Sequence, residues 1–446
     1  MNQTHLSARK RRMYPLFAVL LTAIVAGFTY YHIETYAVFW TVPIIIILFI
    51  YMLWMILSAH LNHIFDSDTD TENLKPIVVM PIYNEDPDML KISLDSIISQ
   101  SKKPLKVYLI DDCSTSDDYG RIINSFKKNC KKQGIQIEFH RQETNRGKRQ
   151  AQAIAFAKHR NDREVIFITM DSDTVLDKEA IKKGLYPFSD GEIMSSAGML
   201  HAYNRTNILT KIISLPFASS FLNGRSAWSA YNSVAVSCGG LAFYRSRVID
   251  EFLEEYTNQI VFGEPARYGD DRMMTEYASL LGKTVFQETS IGFTLVPENI
   301  SHLTRQRLRW WRSFWWGGFW VLKTHRPNRM IWWLILSQYV TAFAYIVVFI
   351  AVAVVYPLVH GHFPWLMIVY LMLLSYVRSM RTLSMKRSDV STMRQIIEFI
   401  IISPLSSLLN IYVDTILRFV ALATLKEKGW GTRNKVEVTA HSKKTS

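Results

Sequence analysis

Cysteine is scarce in this chain of 446 residues, which carries only Cys113, Cys130 and Cys238. An odd, small count in a part expected to face a reducing compartment argues against a disulfide framework. No C-x-x-C pair or histidine cluster suggests zinc. A G-x-x-x-x-G-K-[ST] loop and a G-x-G-x-x-G turn are also missing, which disfavours an ATPase and a dinucleotide oxidoreductase. Acidic residues are the minority, 38 against 51 lysines and arginines, for a net charge of +13. Part of that surplus flanks apolar segments, and the remainder suits an anionic substrate or product. No nucleic acid partner is expected. Long apolar runs are absent between about residues 60 and 325, although hydrophobic residues make up 49% of the whole. They concentrate at the two ends, and the middle reads as ordinary α/β protein.

Residues 14–31 and 37–57 are each long enough to cross a bilayer core of about 30 Å. The Arg9-Lys10-Arg11-Arg12 cluster precedes them, but no small-residue cleavage site follows, so a helical hairpin is expected rather than a signal peptide. The basic cluster places the N-terminus in the cytoplasm, and the chain returns there at about His60. Near the other end, 331–355 reads as a strong span and 363–376 as a shorter one. The apolar stretch 396–425 is interrupted by Ser403-Pro404, which suits a bent helix, a re-entrant pair or one crossing with an interfacial part.

The middle alternates short β-rich runs with helical patterns. Residues 77–80, 107–110 and 164–170 read as buried strands, and 87–100 as a helix with Leu90, Leu94, Ile97 and Ile98 on one face. Such alternation predicts a mostly parallel sheet with ligands at the carboxyl ends of its strands. Acidic motifs fall at those ends: Tyr83-Asn84-Glu85, Asp111-Asp112 and Asp171-Ser172-Asp173. A basic turn, Asn145 to Arg149, opens a helix at about Gln150. Two carboxylates two residues apart, with a diphosphate, form an oxygen cage for Mg²⁺ or Mn²⁺. Further on, Gln306 to Trp310 mixes cations with aromatic rings just before the apolar stretch. Guanidinium groups bind phosphate in a bidentate way, and Leu303, Gln306, Arg307 and Trp310 share one helical face. Trp315, Trp316 and Trp320 read as membrane-interface anchors.

In this order, Tyr83-Asn84-Glu85, Asp111-Asp112, Asp171-Ser172-Asp173, Gly269-Asp270-Asp271-Arg272 and Gln306-x-x-Arg309-Trp310 resemble the inverting, processive glycosyltransferases of family two. Gly147-Lys148-Arg149, Asn207-Ile208-Leu209-Thr210 and Trp430-Gly431-Thr432-Arg433 are similar to bacterial hyaluronan synthases in particular. The resemblance runs from about residue 76 to 436. It departs at Cys113, where the family usually has glycine, and at Cys238-Gly239-Gly240, where it usually has Ser-Gly-Pro or Cys-Gly-Pro.

The resemblance implies a cytoplasmic GT-A-type, Rossmann-like domain set between N- and C-terminal transmembrane helices. The expected division is 1–60 for the tail and first two spans and 61–298 for the glycosyltransferase domain. Interfacial amphipathic helices follow at 299–328, membrane or re-entrant helices at 329–425 and a cytoplasmic tail at 426–446. UDP-GlcA and UDP-GlcNAc would be the donors, and the partners would be a growing polysaccharide and membrane lipid. The alternative is a chitin or poly-N-acetylglucosamine synthase using UDP-GlcNAc only. By the same resemblance, Tyr83 and Glu85 flank the uracil and ribose and Asp112 contacts the nucleoside. Lys148 meets the uracil edge or the diphosphate. Asp173 is the metal ligand, with Asp171 supporting the diphosphate or donor sugar. Asp271 is the general base, and Asp270 beside it is an N-cap acid. Cys238 and Gly239 line the acceptor channel and Trp310 floors the acceptor sugar. Gln306 and Arg309 face the diphosphate, and Trp430 with Arg433 closes over UDP.

Overall fold

The computed structural model describes residues 8–10, 19, 21–27, 29–30, 41–66, 71–115, 119–266 and 268–427. At its centre eight strands form one sheet: β1 (Lys75–Ile82), β2 (Lys106–Asp111), β3 (Gln136–Arg141), β4 (Val165–Thr169), β5 (Val175–Leu176), β6 (Ile193–Ala202), β7 (Ala242–Arg245) and β8 (Lys283–Thr294). Their order across the sheet is β3-β2-β1-β4-β7-β6-β8-β5. Strands β1 to β4 are mutually parallel, as the alternation predicts. The other half is mixed, because β7 runs antiparallel between β4 and β6. Strand β1 has no solvent-facing side, with Ile77, Val78, Val79 and Met80 all at 0% exposure, as a sheet covered on both faces requires. Val78, Met80 and Ile82 share one core with Leu90, Leu94 and Ile97 of the helix Pro87–Ile98. Ile77 and Val79 point the other way, into a core with Ala151, Ala155 and Phe156 of the helix Lys148–Phe156. Each large side chain so buried contributes about 1.5–3 kcal/mol. The helix Pro87–Ile98 starts where Asp86 accepts a hydrogen bond from the Met89 amide at 3.1 Å, an N-cap followed directly by proline.

Four helices among the described residues are long and apolar enough to cross a membrane: Val42–His60, Met330–His360, Trp365–Ser384 and Thr392–Ala423. Of the first expected span, the described residues 21–27 and 29–30 are helical. Of the alternatives at Ser403-Pro404, the chain takes a helix that runs through Pro404 and widens into a π-helix over Ile411–Ile416. A proline strands the carbonyl four residues earlier, and here that carbonyl, on Ile400, accepts the Tyr376 hydroxyl at 2.6 Å. The rod Thr392–Ala423 makes polar contacts outside the apolar helices at both ends. Glu398 pairs with Arg205 near its start, and Arg312 holds Thr424 (2.9 Å) and Glu427 just past its end.

Residues 300–324 form one 25-residue helix, Ile300–Thr324, capped by Asn299 on the His302 amide at 2.9 Å. Two of the expected membrane anchors are buried in the protein interior. Trp315 is 1% exposed and Trp316 6%. The Trp311 and Trp315 indoles donate to the carbonyls of Val413 and Arg418 on the apolar rod, both at 2.8 Å. Trp320 meets the edge of Tyr277, on the helix Asp270–Leu281. Aromatic residues next to cations have two uses, and here tertiary packing takes the place of the bilayer. The membrane side is also tied to β8, where Gln287 bonds Phe65 through both backbone groups and buried Glu288 pairs with Arg381 at 3.1 Å.

Candidate active site

The carboxyl ends of β1, β2 and β4 open on one cavity of about 990 Å³. At the end of β1, Asn84 takes a left-handed φ of 46°. Its side-chain oxygen pins that turn by accepting from the amide and hydroxyl of Thr115, at 2.9 and 3.0 Å. The turn leaves Tyr83 on the cavity wall and sends Glu85 inward. Glu85 is 4% exposed, accepts from the Ser172 hydroxyl at 2.8 Å and is not on the cavity wall. It braces the end of β1 against the end of β4.

At the end of β2, Asp112 lines the cavity and is already engaged. Its oxygens accept from Gln142 Nε2 (2.8 Å), the Arg146 amide (2.8 Å) and the Gly147 amide (2.9 Å). Burial pushes its carboxyl upward, and the two backbone N–H groups pull against that. Asp112 thus holds the basic turn that opens the helix of Lys148. Cys113 beside it has φ 64°, the left-handed region in which glycine is unstrained.

Lys148 reaches the centre of an acidic cluster. Its Nζ is 2.6 Å from Asp171 Oδ1 and 3.0 Å from Asp270 Oδ2. Burial alone would lower its pKa, but Asp171, Asp270 and Asp271 together raise it well above the ordinary lysine value. Asp270 is therefore an ion-pair partner of Lys148 and not simply a helix cap. The N-cap itself is Gly269, at φ 76°. A Cβ there would stand 2.9 Å from both Ser313 Oγ and the Trp316 ring, so only glycine fits.

Asp271 points toward Cys238-Gly239, and its Oδ2 accepts the Gly239 amide at 3.0 Å. Its other oxygen accepts the Arg272 amide at 2.8 Å. A Cβ on Gly239 would come within 2.7 Å of Lys148 Nζ, so this glycine admits the ammonium. Burial, then the neighbouring Asp270 charge, raises the Asp271 carboxyl above its ordinary value. Asp270 moves the other way, because Lys148 and Arg149 outweigh the cost of its burial. Cys238 lies on the cavity wall, its thiol pushed up to about 11 by burial.

The helix Ile300–Thr324 supplies the facing wall with Gln306, Arg309 and Trp310. Gln306 Oε1 is buried and has no hydrogen-bond partner among the described residues. Arg307 stacks on Trp310, with Cζ 4.2 Å from the ring centre, and burial lowers it to about 10. Asp173 also lines the cavity and accepts from the Thr294 hydroxyl at 3.2 Å. No group of three or more histidine, cysteine, aspartate or glutamate side chains converges on a metal position among the described residues. One or two carboxylates open to a cavity instead suit a cation that takes its remaining oxygens from substrate phosphates and water. Trp430 and Arg433 lie outside the described residues.

The cavity thus collects Tyr83, Asp112, Lys148, Asp171, Asp173 and Asp271 from the sheet side, together with Cys238 and Gly239, and leaves Glu85 behind its wall. Sequence reasoning missed the pairing of Asp270 with Lys148. It also missed the extension of the cavity to Tyr51, Gln338 and Tyr345 on membrane-type helices and to Asp414 and Arg418 on the apolar rod. An aspartate inside an apolar helix was the available signal.

A family model described as glycosyl transferase family 2 matches residues 77–253, and one described as glycosyl transferase family group 2 matches residues 166–379. A hyaluronan synthase of Streptococcus pyogenes is 31% identical over 367 residues, which span 82% of this chain and 84% of that protein. An N-acetylglucosaminyltransferase of Rhizobium sp. (strain N33) is 32% identical over 239 residues, 53% of this chain and 52% of that one. Among solved structures, a mannosyltransferase from Pyrobaculum calidifontis in complex with GDP-Man and Mn²⁺ shares the fold. Its TM-score is 0.51 and its identity 14%, over 87% of this chain and 98% of that one. The chain belongs to the family 2 glycosyltransferases and is a hyaluronan synthase-like hexosyltransferase within them.

Proposed function

We propose that this enzyme is a membrane-embedded, processive, inverting glycosyltransferase that builds hyaluronan from UDP-GlcA and UDP-GlcNAc and exports it. The observation that carries the reading is one continuous cavity. It holds the strand-end carboxylates and the Gln306 to Trp310 wall, and it runs on between membrane-type helices. The relationship to hyaluronan synthase over most of both chains supports the choice of sugars.

In this reading Asp271 takes the proton from the acceptor hydroxyl. The hydroxyl oxygen bonds to the anomeric carbon as the bond from that carbon to the UDP oxygen breaks on the opposite face. A base raised by burial is better matched to neutral pH than an ordinary carboxylate, and such a base contributes roughly 10²–10⁴-fold. Lys148 and Arg309 would meet the diphosphate, Tyr83 and Asp112 the nucleoside. Trp310, with Cys238 and Gly239, would seat the acceptor sugar. Asp173, supported by Asp171, would hold Mg²⁺ or Mn²⁺, which supplies charge neutralisation to the leaving diphosphate.

The contacts of the rod Thr392–Ala423 bear on the number of crossings that follow the catalytic domain. Both of its ends make polar contacts outside the apolar helices, so it lies along the interface. That leaves Met330–His360 and Trp365–Ser384 as an even pair of crossings, which returns the chain to the cytoplasm. Glu427, held by Arg312, then lies on the side from which UDP enters.

The test is incubation of purified enzyme with each UDP-sugar singly and then with both, followed by hyaluronidase digestion. Polymer should form only with both donors and be fully digested. Polymer from UDP-GlcNAc alone would replace this reading with the single-donor synthase.

A further inference from the structure

One group of charges on the cavity wall has no task in the transfer chemistry. Arg307, on the helix Ile300–Thr324, and Arg418, on the apolar rod, both line the cavity. Each guanidinium stands over an indole, Arg307 at 4.2 Å from the centre of Trp310 and Arg418 at 3.9 Å from that of Trp311. Stacking engages only the face of a guanidinium and leaves its in-plane N–H fork for an oxyanion. The Nε of each is shielded from solvent and has no hydrogen-bond partner among the described residues. A buried donor left in that state is costly, so a ligand able to accept from it gains accordingly.

The carboxylate these arginines share is Asp414, whose charge acts on both. Its Oδ2 is 3.9 Å from Arg378 Nη2, close enough for attraction but too long for a hydrogen bond. The wall therefore sets three cations against one carboxylate that bonds none of them well. Asp414 also belongs to the π-helical turn Ile411–Ile416, and single π turns of this kind recur at functional sites.

We propose that Arg307 and Arg418 form a carboxylate-binding site for the uronate sugar of the growing chain, with Asp414 as the internal counter-ion that the uronate replaces. The inference rests on the hyaluronan reading above. A uronate carboxylate matches the guanidinium forks. A neutral hexosamine leaves them unpaired, and sites built around buried polar groups discriminate strongly against ligands that lack the partner. The donor diphosphate, the other oxyanion in the cavity, has its own cations in Lys148 and Arg309.

The test uses full-length enzyme in lipid nanodiscs and two oligosaccharides. One alternates glucuronate and N-acetylglucosamine, and its twin has every carboxyl reduced to a primary alcohol. Wild-type enzyme should bind the carboxylated oligomer roughly 10- to 100-fold more tightly. Arg418→Gln should bring the two affinities to within about threefold of each other. A preference unmoved in Arg418→Gln overturns the proposal. Should that variant not fold, Asp414→Asn decides the matter: it should strengthen binding of the carboxylated oligomer alone, and no such gain overturns the proposal. The hyaluronan reading fails separately, if wild-type enzyme makes polymer from UDP-GlcNAc alone. An alternating polymer together with equal binding of the two oligomers sinks only the arginine site.

Discussion

Asp270 and Asp271 are neighbours in the chain with opposite electrostatic surroundings. Asp270 faces Lys148 and is held ionised, whereas Asp271 accepts backbone amides and is harder to ionise. Asp271→Asn should abolish polymer synthesis while UDP binding persists, measured by product radiolabelling and calorimetry; normal synthesis would refute the base assignment. A base must be ionised to act, so the acid limb of the kcat profile should lie above the ordinary carboxylate range of about 4. Further along the same helix, Glu276 is fully buried, and neither oxygen has a hydrogen-bond partner among the described residues. Burial pushes its carboxyl to about 8, above the unfolded value of about 4.3. The folded chain then keeps a proton that the unfolded chain has released. The stability from this proton is complete below about pH 4.3 and lost as the pH rises toward 8. Glu276→Gln should flatten the decline of Tm between those limits, by at most about 1.4 kcal/mol per pH unit. An unchanged slope would mean that Glu276 is charged in the fold. Asp271 was legible in the sequence because its motif is local. The pairing of Asp270 was not, because Lys148 comes from a distant helix and only the fold brings the two together.

At the scale of elements, the helices Asp270–Leu281 and Ile300–Thr324 meet through Gly269. Gly269→Ala combines an unfavourable φ with contacts of 2.9 Å to Ser313 and Trp316. It should lower stability by about 1–3 kcal/mol and displace Asp271 from the Gln306 to Trp310 wall. The measurement is Tm alongside KM and kcat, and a wild-type Tm would show that the junction is loose. The parallel strands and the helix faces were readable from periodicity, since the burial that creates the pattern is local to each element. Trp315 and Trp316 were misread because an indole serves lipid interface and protein interior alike. The partner of the Trp315 indole, the Arg418 carbonyl, lies about a hundred residues away. The alternatives at Pro404 stayed open for a related reason, since the hydroxyl that satisfies the carbonyl it strands comes from another helix.

At the scale of the whole molecule, catalytic sheet and membrane helices are joined at the β8 segment that holds Gln287 and Glu288. Glu288 is 1% exposed and pairs with Arg381. Breaking one side of a buried pair costs about 3–5 kcal/mol, so Glu288→Gln should lower Tm and loosen the docking of the two parts. Glu288→Gln with Arg381→Met should recover part of that loss, read by thermal size-exclusion of solubilised enzyme. A single variant as stable as wild type would remove the junction from the account.

The reach of the cavity has an electrical consequence. It extends as far as Tyr345, fifteen residues into the helix Met330–Ile350, which is about 22 Å along that helix, against a hydrocarbon core of about 30 Å. In the hyaluronan reading, a strand with a negative charge on alternate sugars that leaves by this route would travel down an inside-negative voltage. Each such charge that crosses 100 mV releases about 2.3 kcal/mol. The resting potential of the cell would then pull on the product, and its collapse by an ionophore should slow secretion of a charged polymer more than that of a neutral one.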